Sequence, residues 1–252
     1  MKIAFYAPEK PRAQKALEEL KSEYGKCAPE KAEALVVIGG DGAMLRALHM
    51  YQDLDVPLFG MNMGTLGFLL NDYNKKNLPA RIKKANKIKI FPLIMEAHDK
   101  SGKVHKELAY NEISLLRQTH NSAKIKISVN DKVTMEQLVC DGVLVSTPMG
   151  STAYNSSAGG PIVPLDANVL PLTPISPFRP RRWPGALLRN DAKITFDVLR
   201  NVERPVSATA DSTEIRDIIR VDIHQPRRTS RTLLFDPDNH LEERNFQEQF
   251  AP

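Results

Sequence analysis

The first third of the chain alternates short apolar runs with stretches of helical spacing. Ile3 to Ala7 is a five-residue apolar run ended by Pro8, which predicts a buried strand. Pro11 to Tyr24 then repeats Ala13, Ala16, Leu17 and Leu20 on one face, with Pro11 placed to open a helix and Gly25 to close it. Ala34 to Ile38 is a second apolar run, broken by Gly39-Gly40-Asp41-Gly42. Ala43 to Tyr51 returns to helical spacing through Met44, Leu45, Leu48 and Tyr51, and Val56 to Met61 predicts a third strand. Strand, helix, strand, helix, strand with short connections predicts a parallel sheet.

From about residue 87 the period changes from mixed to two. Lys87 to Phe91, Lys124 to Ser128, Lys193 to Leu199 and Ile218 to His224 alternate polar and apolar residues, which predicts antiparallel sheets packed as a sandwich. The fold class is therefore α/β plus all-β: a Rossmann-like parallel α/β domain over 1–90, then a C-terminal β-sandwich domain over 91–235. The tail 236–252 is read as a terminal helix or a partly ordered segment able to pack back on the first domain. Pro161 to Pro184 is rich in proline and predicts an ordered irregular loop.

Composition narrows the classes of function without choosing one. The 252 residues carry 35 Lys and Arg against 30 Asp and Glu, a net charge of +5. That mild excess suits an anionic small molecule and falls short of a nucleic-acid arm. Two cysteines, Cys27 and Cys140, stand far apart with no C-x-x-C pair, so neither a zinc cage nor a disulfide scaffold is expected. The first apolar run is too short for a signal-peptide core, and no stretch approaches a membrane span, so a cytoplasmic location with neither membrane nor nucleic-acid partners is expected. The six histidines show no metal-ligand spacing, and no residue set is assigned to a metal. Arg81, Lys83, Lys84, Lys87 and Lys89 read as a solvated helix face and linker.

Two segments carry candidate chemistry. Gly39-Gly40-Asp41-Gly42 lies between a buried strand and a helix start, at the carboxyl end of a parallel strand where ligands bind in open α/β sheets. Glycines let the backbone approach a phosphate, and an acid there repels that phosphate unless it orients a metal or takes a proton. The P-loop pattern G-x-x-x-x-G-K-[ST] is absent, and the dinucleotide fingerprint fails at Leu45. A turn with no ligand remains open on this motif alone. The second segment, Asp141 to Gly160, is a short strand opening into a loop with hydroxyls at Ser146, Thr147, Ser151, Thr152, Ser156 and Ser157 and one aromatic, Tyr154. Small residues and uncharged donors around an aromatic face suit a nucleoside; a Ser/Thr-rich surface turn explains the composition but not the aromatic.

Taken in order, Gly39 to Gly42, the Asn-x-Gly-x-Leu-Gly-Phe run from Asn62 to Phe68, Asn111-Glu112 and the Ser-Thr-Pro-x-Gly-Ser-Thr-Ala-Tyr-Asn run from Ser146 to Asn155 resemble the ATP-dependent NAD kinases. Gly159-Gly160-Pro-Ile and Leu172-Thr-Pro-Ile-Ser176 extend the resemblance. It implies transfer of the γ-phosphate of ATP, or of polyphosphate, to the 2′-hydroxyl of the adenosine ribose of NAD. Mg²⁺ would be bound with ATP, and the protein would be a homo-oligomer, a tetramer by resemblance. Asp41 is then the general base and Gly42 part of the phosphate turn. Asn111 and Glu112 contact the adenosine half, and Thr152, Ala153, Tyr154, Asn155, Ser156 and Ser157 line its pocket, with Phe68 covering it. Asp141 and Ser176 meet the nicotinamide end, and Ser212, after Asp211, supplies a late polar contact. Two positions depart from the family pattern: Ala43 stands where Thr is usual and Met149 where Ser is usual. These departures keep a dinucleotide-binding regulator without catalysis in view, and the shared GGDG turn keeps a lipid or sugar kinase.

Overall fold

The computed structural model describes residues 1–64, 67–239 and 249–250. Most of the tail expected as a helix or partly ordered segment, residues 240–248 and 251–252, lies outside the described residues. The chain divides into two compact units, Met1–Ile90 with Ser230–Pro252, and Phe91–Thr229.

The first unit opens with β1 (Ile3–Tyr6), α1 (Pro11–Tyr24), β2 (Ala34–Gly39), α2 (Asp41–Met50) and β3 (Leu58–Asn62). The short β4 (Asn71–Asp72), α3 (Leu78–Lys84) and β5 (Asn86–Ile90) follow. The predicted helix face of α1 is the buried one, Ala13, Ala16, Leu17 and Leu20, and Gly25 caps it at φ 84°. All six residues of β2 are buried, as expected for a central strand covered on both faces.

The second unit holds β6 (Leu93–Asp99), β7 (Val104–Ala109), β8 (Glu112–Arg117), β9 (Ala123–Val129), β10 (Lys132–Cys140) and β11 (Gly142–Ser146). After the short helix α4 (Tyr154–Ser157) come β12 (Val169–Ile175), β13 (Ala186–Arg189), β14 (Ile194–Val198), β15 (Val206–Ala210), β16 (Thr213–Ile215) and β17 (Ile218–His224). The last strand, β18 (Arg231–Phe235), returns to the first unit.

The sheet of the first unit runs β1-β2-β3-β18-β5, with β4 also on β3. The β1–β2, β2–β3 and β3–β18 pairs are parallel, and β18–β5 is antiparallel. The sheet is thus mixed, with a parallel core and one antiparallel edge. The division expected from the sequence places 231–235 with the sandwich; the strand instead fills the first sheet. Its apolar Leu233, Leu234 and Phe235 are buried there, and nothing in that short pattern names the sheet that receives it. Buried Arg231 fastens the return, its guanidinium donating to the carbonyls of Tyr51, Gln52 and Val56. It joins the last strand to the carboxyl end of α2.

The second unit is two antiparallel six-stranded sheets, β10-β9-β14-β17-β6-β7 and β13-β12-β11-β8-β15-β16. Both contribute to one core, in which Met95, Ile125, Phe196 and Val221 of one sheet pack with Ile113, Leu115, Val143 and Ala208 of the other. The proline-rich segment corrects the loop expectation: residues 169–175 form β12, with Pro171 and Pro174 inside it. β13 pairs with residues 169–172 and β11 with 172–175. Each proline therefore lies beyond the reach of one neighbour, where a missing N–H breaks no ladder bond.

Candidate active site

The carboxyl ends of β1, β2 and β3 stand side by side, and a cleft of about 350 Å³ opens against them. Gly40 caps α2, and Asp41 is its first residue. Gly39 is held to glycine by close packing, since a Cβ there would lie 2.6 Å from the Cβ of Ala43. Ala43 is buried, 3% exposed, so the residue replacing the usual Thr belongs to this contact between turn and helix.

The Asp41 carboxylate is held by two backbone amides. Its Oδ2 accepts the Phe68 N–H and its Oδ1 the Leu69 N–H, both at 3.0 Å. The segment after β3 is therefore fixed on the catalytic candidate through backbone amides, and Phe68 enters the site by its N–H. Lys10, Arg12 and Arg46 line the cleft. The sequence reading passed over these three. Lys10 and Arg12 flank the proline that opens α1, just past the end of β1, and Arg46 lies one helical turn after Gly42; only the sheet order brings them together.

In the second unit the run from Ser146 to Asn155 folds as a turn built on Asn111. The Thr147 N–H donates to the Asn111 carbonyl at 2.9 Å, and the Thr147 hydroxyl donates to the Tyr110 carbonyl at 2.6 Å. A Cβ on Gly150 would stand 2.2 Å from the Asn111 carbonyl oxygen, so only glycine lets the two segments meet. Asp211, at φ 50°, closes the other side. Its carboxylate accepts the N–H groups of Tyr110, Asn111 and Glu112 at 2.7, 2.9 and 3.3 Å. Asp211 thus sets the backbone of the Asn111-Glu112 pair, and exposed Ser212 follows it on the turn into β16.

Glu112 is the group left with unmet chemistry. Its Oε2 is buried with no hydrogen-bond partner. Burial first, and the Asp211 charge second, push its pKa up to about 7, opposed by the Tyr154 amide. Half-buried Tyr154 shares this environment, its hydroxyl pKa raised by burial and then by the charges of Glu112 and Asp141. Asp141 is already paired, its Oδ1 2.5 Å from Nε of Arg117. Its amide N–H donates to the Ile175 carbonyl at 3.0 Å, which puts Asp141 at the end of β12 beside exposed Ser176.

The loop hydroxyls divide into two sets. Ser146, Thr147 and Ser151 are buried and bond within the turn. Thr152 and Ser156 are half-buried, as is Ala153, and Ser157 is exposed. Asn155, expected in the nucleoside pocket, is fully buried. Its Nδ2 donates to the carbonyls of Ser151 and Pro161, and its Oδ1 accepts the Thr173 hydroxyl at 2.7 Å. Its side chain builds the loop from within. Met149 is likewise buried, 4% exposed, and packs the turn's interior where the family usually carries Ser. Arg81, expected on a solvated face, makes a bidentate pair with Asp236 and lies over the Phe59 ring at 5.1 Å.

The chain matches the profiles of the ATP-NAD kinase N-terminal domain over residues 4–89 and of the ATP-NAD kinase C-terminal domain over residues 110–241. It is 51% identical over 252 residues to an NAD kinase of Hyphomonas neptunium, covering 100% of this chain and 98% of that one. It is also 51% identical over 250 residues to an NAD kinase of Caulobacter vibrioides, covering 99% and 96%. Among solved structures, an NAD kinase from Archaeoglobus fulgidus in complex with ATP superposes with a TM-score of 0.75 at 26% identity, over 99% of each chain. Yeast NADH kinase complexed with NADH shares the fold, with a TM-score of 0.84 at 20% identity over 98% of this chain and 86% of that one. A full-length match to both domains at this identity admits one reading: the chain belongs to the ATP-NAD kinase family.

Proposed function

We infer that this chain transfers the γ-phosphate of ATP to the 2′-hydroxyl of the adenosine ribose of NAD, giving NADP and ADP. The observation that carries the reading is the Glu112 carboxylate, whose Oε2 is buried without a partner beside the Tyr154 amide. A ribose hydroxyl brings the missing donor, and half-buried Tyr154 brings a ring face for the base. Thr152, Ser156, Ser157 and Ser212 supply further polar contacts, and Asp141 and Ser176 hold the nicotinamide end.

Asp41 is the general base in this reading. The bond from the ribose 2′-oxygen to the γ-phosphorus forms as the bond from that phosphorus to the β-bridging oxygen breaks, and the hydroxyl proton passes to Asp41. A carboxylate with a reference pKa of about 3.9 accepts that proton only late, as the hydroxyl becomes acidic in the transition state. The Phe68 and Leu69 amides fix the carboxylate's direction.

Mg²⁺ bound with ATP would neutralise charge on the transferring phosphates. Among the described residues no group of three His, Cys, Asp or Glu side chains gathers to cage a cation.

We place the enzyme in the cytoplasm, with its two substrates; no described helix is long and apolar enough to cross a membrane. We also propose a homo-oligomer, tetrameric as the family resemblance implies. Exposed Leu187 on the edge strand β13 and exposed Phe178 before it support a self-contact, and sedimentation of the purified chain tests it. The activity is tested by incubating the protein with NAD, ATP and Mg²⁺ and reading NADP with an NADP-specific dehydrogenase. NADP formation is expected, and a folded sample that forms none overturns the reading.

A further inference from the structure

Arg117 is the last residue of β8, and Asp141 stands alone between the end of β10 and the start of β11. The antiparallel pairing of Leu116 with Gly142 brings the two together, and the Arg117 N–H donates to the Asp141 carbonyl at 2.9 Å. Gly142 permits that approach, since a Cβ there would lie 2.2 Å from the Leu115 carbonyl oxygen. The guanidinium then donates from Nε to Oδ1 of Asp141 and from Nη1 to the Thr119 carbonyl, both at 2.5 Å. On its other side the Asp141 N–H is fixed to the Ile175 carbonyl, one residue before Ser176. The acid is felt beside Tyr154, whose hydroxyl pKa is raised by burial, then by Glu112, then by Asp141.

The acids of this region are held differently. Glu112 keeps an unpartnered oxygen, Asp211 takes three amide N–H groups, and Asp141 takes an arginine. An arginine brings a full opposite charge as well as a donor, which amides do not. The Arg117 and Asp141 side chains are 34% and 40% exposed, so a ligand can meet the pair. We propose that Arg117 is a specificity-determining residue: by pairing Asp141 it offsets the acid's charge at the nicotinamide end and admits the reduced as well as the oxidised dinucleotide. The proposal rests on the reading above, in which Asp141 meets that end. The oxidised ring carries one positive charge that the reduced ring lacks. A bare carboxylate favours the oxidised form, while one paired with a guanidinium has little preference.

The test compares Kd for NAD and for NADH by calorimetry on the full chain at pH 8, without ATP. Arg117→Gln frees the Asp141 charge and is expected to raise the preference for NAD over NADH about three- to tenfold. Asp141→Asn leaves the guanidinium unopposed and shifts the preference toward NADH by a similar factor. The double variant returns near the wild-type ratio, because both charges are gone. Arg117→Lys keeps the charge and most of the ratio, and Lys132→Gln, at the opposite, exposed end of β10, moves neither Kd. If Arg117→Gln weakens both ligands by one factor, Arg117 only holds the strand end and the proposal is overturned. A shift of both single variants in the same direction overturns it too. Should Arg117→Gln fail to fold, Asp141→Asn decides alone, and an unmoved ratio counts against the proposal. A wild type whose ratio responds as expected yet forms no NADP keeps the charge pairing and loses the kinase reading; a folded wild type that binds neither dinucleotide overturns both.

Discussion

The Oδ1 of Asp41 accepts the Leu69 N–H at 3.0 Å, and its other oxygen takes the neighbouring Phe68 N–H at the same distance. One side chain thus joins the start of α2 to the segment that leaves β3. Asp41→Asn keeps an acceptor at one position and sets an NH₂ against an N–H at the other. Turnover is expected to fall by a factor of about 10² to 10⁴, the usual contribution of a general base, while the Kd for NAD changes by less than about threefold. Calorimetry with NAD beside steady-state kinetics checks this; a variant turning over at the wild-type rate removes Asp41 from the base role.

Glu112 makes activity and stability oppose one another. Its folded-state pKa of about 7 lies above the ordinary carboxyl value of about 4.3. Below pH of about 4 the group is protonated folded or unfolded, and its titration costs nothing. As pH rises through 7 the folded state must hold a buried carboxylate, and stability is lost. Glu112→Gln is therefore expected to stabilise the ligand-free protein by about 1–3 kcal/mol at pH 8 and by little at pH 4. The same change raises KM for NAD about tenfold, because the ionised acceptor for the ribose is gone. Thermal unfolding at the two pH values, with KM measured at pH 8, reads both effects.

Asp211 acts on that titration from the end of β15, where its carboxylate accepts the Glu112 N–H at 3.3 Å. Its charge is the second cause of the raised Glu112 pKa, and its oxygens hold the amides of residues 110–112. KM for NAD in the wild type should fall as pH rises through about 7. In Asp211→Asn the midpoint moves to lower pH, and stability drops by about 1–3 kcal/mol from poorly met amides. Asn tolerates the φ of 50°, so a backbone clash does not confuse the result. An unmoved midpoint would separate Asp211 from Glu112.

Asn155 is expected to matter through the loop alone. Asn155→Ala strips hydrogen-bond partners from the Ser151 and Pro161 carbonyls and the Thr173 hydroxyl. Unfolding free energy should fall by about 2–4 kcal/mol. KM for NAD rises because the Tyr154 turn loosens, and kcat at saturating NAD changes least. A loss confined to kcat with stability intact would instead place the Asn155 amide on the substrate.

The sequence was most legible where one local pattern sufficed. Apolar spacing located α1 and its Gly25 cap, and the GGDG turn located the helix that begins at Asp41. The Tyr154 loop stood out by one aromatic among small residues. What local pattern could not supply was partnership across long separations. Lys10 and Arg46 share a cleft because β1 and β2 lie adjacent, and nothing in either segment names the other. Arg81 read as one more cation in a basic run, yet Asp236, 155 positions on, takes it out of solvent. Asn155 sits in a motif that the resemblance assigns to the adenosine pocket, but its amide finds three partners inside the protein. Prolines at 171 and 174 argued against a strand, and the staggered cover of β12 by its neighbours permits one.

The most direct measurement is a phosphoryl-transfer experiment with γ-labelled ATP, NAD and Mg²⁺, resolving nucleotides and inorganic phosphate by chromatography. The account predicts label in NADP, on the 2′-phosphate, with one ADP formed for each NADP. Label appearing only in inorganic phosphate, or in no product from a folded sample, would contradict it.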